Sequence, residues 1–115
     1  MEVSVSLYKA HFYAKHGYYA FEQQTGNEFE VTLKCSYQNS GAFFVNYEDL
    51  FNIAKEIMHA EMHLQLIEEL AENMMAAIHE RFSFLTKIKV EITKLTPPIP
   101  HFKGAGASVT LKWKQ

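Results

Sequence analysis

The chain has 115 residues, and its formal net charge of −2 comes from 11 Lys and Arg against 13 Asp and Glu. That near balance gives no electrostatic basis for nucleic acid or an anionic membrane as a partner. The one cysteine, Cys35, excludes an intrachain disulfide and suits a reducing compartment, so the expectation is one soluble, cytoplasmic domain over residues 1–115. Glu2, Lys9, His11 and Lys15 interrupt any signal-like apolar core in the first 20 residues, and no apolar run is long enough to cross a bilayer.

Val3, Val5 and Leu7 alternate with Ser4, Ser6 and Tyr8, which predicts a first strand continuing roughly to Tyr13. Lys15-His16-Gly17-Tyr18-Tyr19 breaks it, and Glu22-Gln23-Gln24-Thr25-Gly26 reads as a polar loop. In a second strand Phe29, Val31, Leu33 and Cys35 share one face, with Glu28, Glu30, Thr32 and Lys34 on the other. A turn at Gln38-Asn39-Ser40-Gly41 precedes the short apolar run Ala42-Phe43-Phe44-Val45. Asn46 then has the chemistry of a helix N-cap, followed by Glu48 and Asp49 where the helix dipole favours acids. Leu50, Phe51, Ala54, Ile57 and Met58 recur at helical spacing. After a break near His63-Leu64-Gln65, a second helix carries Ile67, Leu70, Ala71, Met74, Ile78 and Phe82 on one stripe. Two further strands follow, 87–94 and one with Val109, Leu111 and Trp113 on one side. The order β-β-α-α-β-β predicts an α+β fold, a four-stranded antiparallel sheet with two helices on one face. Its open edges and uncovered face suit closure with copies of itself into a barrel.

The strand over 87–94 holds the most informative residue. Ile88, Val90 and Ile92 form its apolar face, and Lys94 falls on the same parity, just before Pro97-Pro98-Ile99-Pro100. Burial disfavours a charged ammonium, so a lysine there is a candidate proton acceptor near neutral pH. The histidines form no convincing metal motif. His59 and His63 lie four apart with Glu61 between them, but the zinc-protease pattern requires the glutamate where Ala60 stands. Cys35 lies mid-strand on an apolar face and reads as core. Among the acids that open the second helix, Glu69 and Glu72 read as a solvated face. Glu68, directly after Ile67 of the stripe, can instead present two oxygens to a ligand with a paired N–H edge.

Taken together, HFYAKHGYYAFEQQTGNEFEVTL, FFVNYEDL, LIEELAE and VEITKLTPPIP resemble, in the same order, segments of the dihydroneopterin aldolases. The resemblance implies the tunnelling fold, in which β-β-α-α-β-β subunits form a barrel, as a tetrameric ring or a homo-octamer, with active sites between subunits. It implies a pterin held by Glu68 with the backbone near Ile67. It also implies that Val45, Asn46 and Tyr47 come from the neighbouring subunit, and that Lys94, Glu22 and Tyr47 are catalytic, with Lys94 and Glu22 managing protons through an ordered water. It further implies retro-aldol cleavage of 7,8-dihydroneopterin in folate synthesis, without metal, Schiff base or other cofactor. Epimerisation of dihydroneopterin or its triphosphate, with His101 and Lys103 as candidate phosphate contacts, and a non-catalytic pterin-binding barrel are the alternatives. The chain departs from the family pattern in a shorter segment before Asn46, in Phe43-Phe44 where an acid is usual, and in His101 where glycine is usual.

Overall fold

The computed structural model describes residues 1–60 and 66–115. The break expected near 63–65 lies outside these residues, as do His63 and Glu61 of the weighed metal motif. The elements in chain order are β1 (Glu2–Ala14), α1 (Ala20–Thr25), β2 (Asn27–Gln38), α2 (Tyr47–Met58), α3 (Ile67–Arg81), β3 (Lys87–Lys94) and β4 (Ala107–Lys114). The strands form one sheet in the order β1-β2-β3-β4, antiparallel throughout. Phe29, Val31, Leu33, Ile88, Val90 and Ile92 on one face of the sheet meet Leu50, Ala54 and Met58 of α2 and Leu70, Ala71, Met74 and Ile78 of α3 in one core. The expected sheet with helices is therefore present.

Two features differ from the expectation. The alternation of β1 does not run unbroken to Tyr13. Leu7 pairs with Leu33 but Ala10 pairs with Val31, so β1 carries one extra residue at a bulge. Lys9 there has φ of 50° and its N–H donates to Thr32 Oγ1. Past the bulge the inward parity switches, so that Phe12 and Ala14 are buried while Tyr13 is exposed. The second difference is α1, which forms where a polar loop is expected. Glu22 is its one buried residue, so it has no apolar periodicity to reveal it. Its start is held by the Glu22 carboxylate, which accepts from the Tyr19 N–H, and its end by the Gly26 N–H donating to the Glu22 carbonyl.

The helices run in defined directions. Asn46 caps α2 as expected, its Oδ1 accepting from the Glu48 N–H at 2.9 Å. Asp49 near the start of α2 meets Arg81 at the end of α3, so the two helices are antiparallel. The C-terminal end of α2 is fixed by the buried His16, whose Nε2 lies 2.8 Å from the Met58 carbonyl oxygen.

Cys35 is buried as expected, and burial pushes its thiol up from 9.0 to about 11. The thiol should therefore resist iodoacetamide in native protein at pH 8 and react fully in urea, as read by mass spectrometry. Because the unfolded thiol ionises from 9.0 and the folded one only near 11, this group should weaken the fold progressively as pH rises through that window.

Candidate active site

Burial alternates along β3, and Lys94 falls on the inward parity with only 8% of its surface exposed. Its ammonium meets a partner from α1, the Glu22 carboxylate, at 2.6 Å between Nζ and Oε2. Glu22 is itself 3% exposed, so the pair is desolvated on both sides. The remaining oxygen of Glu22 accepts from the Tyr19 N–H, and the Phe29 ring lies 5.9 Å from Lys94 Nζ. A carboxylate with both oxygens engaged and an ammonium against an aromatic face form a charge pair of fixed orientation.

Two glycines make room for this pair. A Cβ on Gly17 would stand 2.7 Å from the Glu22 carboxyl carbon, so any side chain there displaces the carboxylate. A Cβ on Gly106 would stand 2.7 Å from the Lys94 carbonyl oxygen, and its φ of +145° also favours glycine.

Asn27 is a positioning residue that sequence reasoning missed. Its Nδ2 donates to the Thr96 carbonyl at 2.6 Å, and its Oδ1 accepts from Thr96 N–H and Glu28 N–H. This side chain ties the turn after Lys94 to the start of β2, and its position after Gly26 was the available signal. Beside it lies a cleft of ≈ 370 Å³ lined by Glu22, Phe21, Asn27, Thr96, Pro97 and Pro98. His101 has φ of 60°, in the left-handed region glycine adopts freely, so the turn is kept at a cost in local strain.

The structure separates the expected site residues into two groups. Lys94 and Glu22 come together at one end of the sheet. Ile67 and Glu68 open α3 at that same end, because α3 leads through residues 82–86 to the opposite end of β3. Glu69 folds back so that its Oε1 accepts from the Leu66 N–H, while Glu68 stays exposed. Val45 is buried, Asn46 is occupied as the cap, and Tyr47 is 67% exposed at the far end of α2. Met58 ends α2 beside His16, so Tyr47 stands roughly 17 Å away along the helix axis. One chain therefore does not bring Tyr47 to Lys94. Among the described residues, no group of three or more His, Cys, Asp or Glu side chains gathers as a metal-ligand set.

The dihydroneopterin aldolase family model matches residues 5–112. The chain belongs to the dihydroneopterin aldolase family. It is 30% identical to the dihydroneopterin aldolase of Bacillus subtilis over 109 residues, covering 88% of this chain and 90% of that protein. Identity with the Staphylococcus epidermidis enzyme is 34% over 106 residues, covering 85% and 87%. The fold is similar to that of Escherichia coli dihydroneopterin aldolase in complex with neopterin, with a TM-score of 0.81, 16% identity and 96% and 98% of the two chains covered. It also resembles the Burkholderia thailendensis dihydroneopterin aldolase bound to guanine, with a TM-score of 0.75, 12% identity and coverage of 99% and 92%.

Removing one member of the buried pair strands the other's charge. Lys94→Met should lower unfolding stability by about 3–5 kcal/mol, and adding Glu22→Gln to it should recover much of that loss. Urea denaturation of the two single variants and the double variant reads the coupling directly.

Proposed function

We propose that this chain, acting as one domain over residues 1–115 in the cytoplasm, is a dihydroneopterin aldolase of folate synthesis whose proton chemistry is carried by Lys94 and Glu22. The observation that carries this assignment of roles is the desolvated Lys94–Glu22 contact at 2.6 Å beside an open cleft. In 7,8-dihydroneopterin the bond to break joins the two hydroxyl-bearing carbons nearest the ring. A base removes the proton from the outer hydroxyl and glycolaldehyde departs. The bonding electron pair then remains on the ring-proximal carbon and delocalises into the ring imine, whose nitrogen gains a proton. Returning a proton to that carbon, while the ring nitrogen gives up the one it gained, restores the imine and gives 6-hydroxymethyl-7,8-dihydropterin. The steps need a group that accepts and returns protons, and a lysine in direct contact with a carboxylate has that capacity. The ring itself stabilises the carbanion, so the lysine acts as base or relay rather than as covalent nucleophile.

Glu68 is assigned to the amino-pyrimidine edge of the pterin, where one carboxylate can accept two parallel N–H bonds. Ile67 contributes the adjacent backbone. Val45, Asn46 and Tyr47 are assigned to the site of a neighbouring copy, with the Tyr47 hydroxyl beside the reacting side chain. The distance of Tyr47 from Lys94 within one chain supports a site shared between subunits. So do the exposed rings at both ends of the molecule, Tyr18 and Phe21 beside α1 and Phe43 and Phe44 before α2, which offer apolar surface to a partner. A closed barrel of copies, in a tetrameric ring or a stacked octamer, would cover these rings and both sheet edges.

Incubation with 7,8-dihydroneopterin should yield 6-hydroxymethyl-7,8-dihydropterin and glycolaldehyde, and Lys94→Ala should lower kcat at least about a hundredfold. Accumulation of the epimer alone would replace cleavage with epimerisation, and unchanged substrate would leave a binding barrel. Shared sites have their own signature. Lys94→Ala and Tyr47→Ala subunits, unfolded together and reassembled, should regain activity that neither variant has alone. Lack of complementation in a mixed assembly would place each site within one chain.

A further inference from the structure

The sheet face opposite the helices carries an arrangement the aldolase reading leaves unexplained. Lys34 on β2 pairs directly with Lys89 on β3, and Lys89 pairs with Lys112 on β4. In the next row Lys87 pairs with Lys114 and stands opposite Ser36. Five of the 11 basic residues of a net-negative chain thus occupy two adjacent rows of one face. Like charges directly opposite across strands are destabilising, so the arrangement opposes folding unless something neutralises it. Lysines on an edge strand serve to block strand addition, which accounts for Lys112 and Lys114 on β4. Lys34 and Lys89 lie on the two central strands, where that reason does not apply.

Acidic neighbours leave the row uncompensated. Glu2 pairs with Lys87 at 3.2 Å, and Glu91 in the adjoining row accepts from Thr110 Oγ1 at 3.0 Å. Among the described residues, no carboxylate forms an ion pair with Lys34, Lys89 or Lys112. A concavity of ≈ 280 Å³ lies over them, lined also by Ser36, Lys87 and Lys114 and, at one side, by Glu2, whose carboxylate is taken up by Lys87. Lys89 lies on the outward parity of β3, five residues before the inward-facing Lys94, so this cavity is separate from the catalytic pair.

We propose that the lysine row formed by Lys34, Lys89 and Lys112 binds an oligophosphate chain. Neighbouring strands lie about 4.8 Å apart, so the three lysines leave the sheet along a line of roughly 10 Å. A single phosphate reaches only part of such a line, whereas consecutive phosphoryl groups can follow it. Lysine ammonium groups are mobile point charges suited to phosphate oxygens. The binding geometry is complete within one chain, and closure into a barrel would repeat the row around the inner wall.

The probe is inorganic tripolyphosphate, added to the full-length protein and followed by titration calorimetry and melting temperature, with sodium chloride at matched ionic strength as reference. Tripolyphosphate should bind and raise Tm beyond the chloride reference, and should bind more tightly than orthophosphate. Lys89→Gln should move the two readouts in opposite directions. It should raise Tm of the ligand-free protein, because it removes repulsion, and weaken tripolyphosphate about tenfold. Lys103→Gln, near the catalytic end, should leave binding unchanged. Equal effects of chloride and tripolyphosphate would overturn the proposal, as would unaltered affinity in Lys89→Gln or affinity lost only in Lys103→Gln. Loss of aldolase turnover would not affect this result, since the readouts are binding and Tm.

Discussion

The organisation of this protein follows from burying one ammonium. A lysine at the inward end of a central strand is tolerable only with a carboxylate close enough to offset its lost hydration. That carboxylate comes from Glu22, 72 residues earlier in the chain. Its position requires α1, an element with no hydrophobic face of its own. Packing cannot explain a six-residue helix whose one buried residue is charged; the ion pair and the local Glu22 to Tyr19 hydrogen bond can. Gly17, Gly106 and Asn27 are then consequences, since each permits the close approach of backbone to this pair or ties the adjoining turn.

Most of the sheet was legible because strand parity is a local property. Phe29, Val31, Leu33 and Cys35, or Ile88, Val90, Ile92 and Lys94, declare their faces without reference to the rest of the chain. The bulge in β1 was not legible, because either phase of the alternation places some apolar residue inward around Ala10, Phe12 and Tyr13. Only pairing with β2 selects between them. α1 was invisible for the opposite reason, its stabilisation coming from one long-range ion pair. The candidate site was legible as a set of residues through the family's motifs. The resemblance also implied its division between subunits, but the physical cause, the direction of α2 relative to β3, is not written in any local pattern.

The two faces of the sheet solve different problems. The helix-covered face buries aliphatic side chains to near-zero exposure and supplies the hydrophobic stabilisation. The other face is rich in Ser, Thr, Lys and Glu, and none of its lysines is registered opposite an acid on an adjacent strand, Lys87 reaching Glu2 only from a neighbouring row. Uniform pairing of opposite charges would have been the more stable arrangement. A face that forgoes it is better suited to an external counter-charge than to self-compensation.

The bulge links the core to the site. By switching parity after Leu7, it turns Phe12 inward, where it stacks on Phe51 at 5.8 Å between ring centroids and meets His59 edge-on at 5.7 Å. Phe51 lies near the middle of α2 and His59 caps its C-terminal end. Phe12 and His16, both on the segment that follows the bulge, thus fasten that end of α2 near the end of the sheet where Lys94 lies. A helix anchored there must point its N-terminus the other way, carrying Asn46 and Tyr47 away from the chain's own lysine. Without the extra residue, Tyr13 would take the inward position, and its polar hydroxyl would need a buried partner in place of the Phe12 contacts. One inserted residue in the first strand therefore helps determine that Tyr47 stands exposed at the distal end.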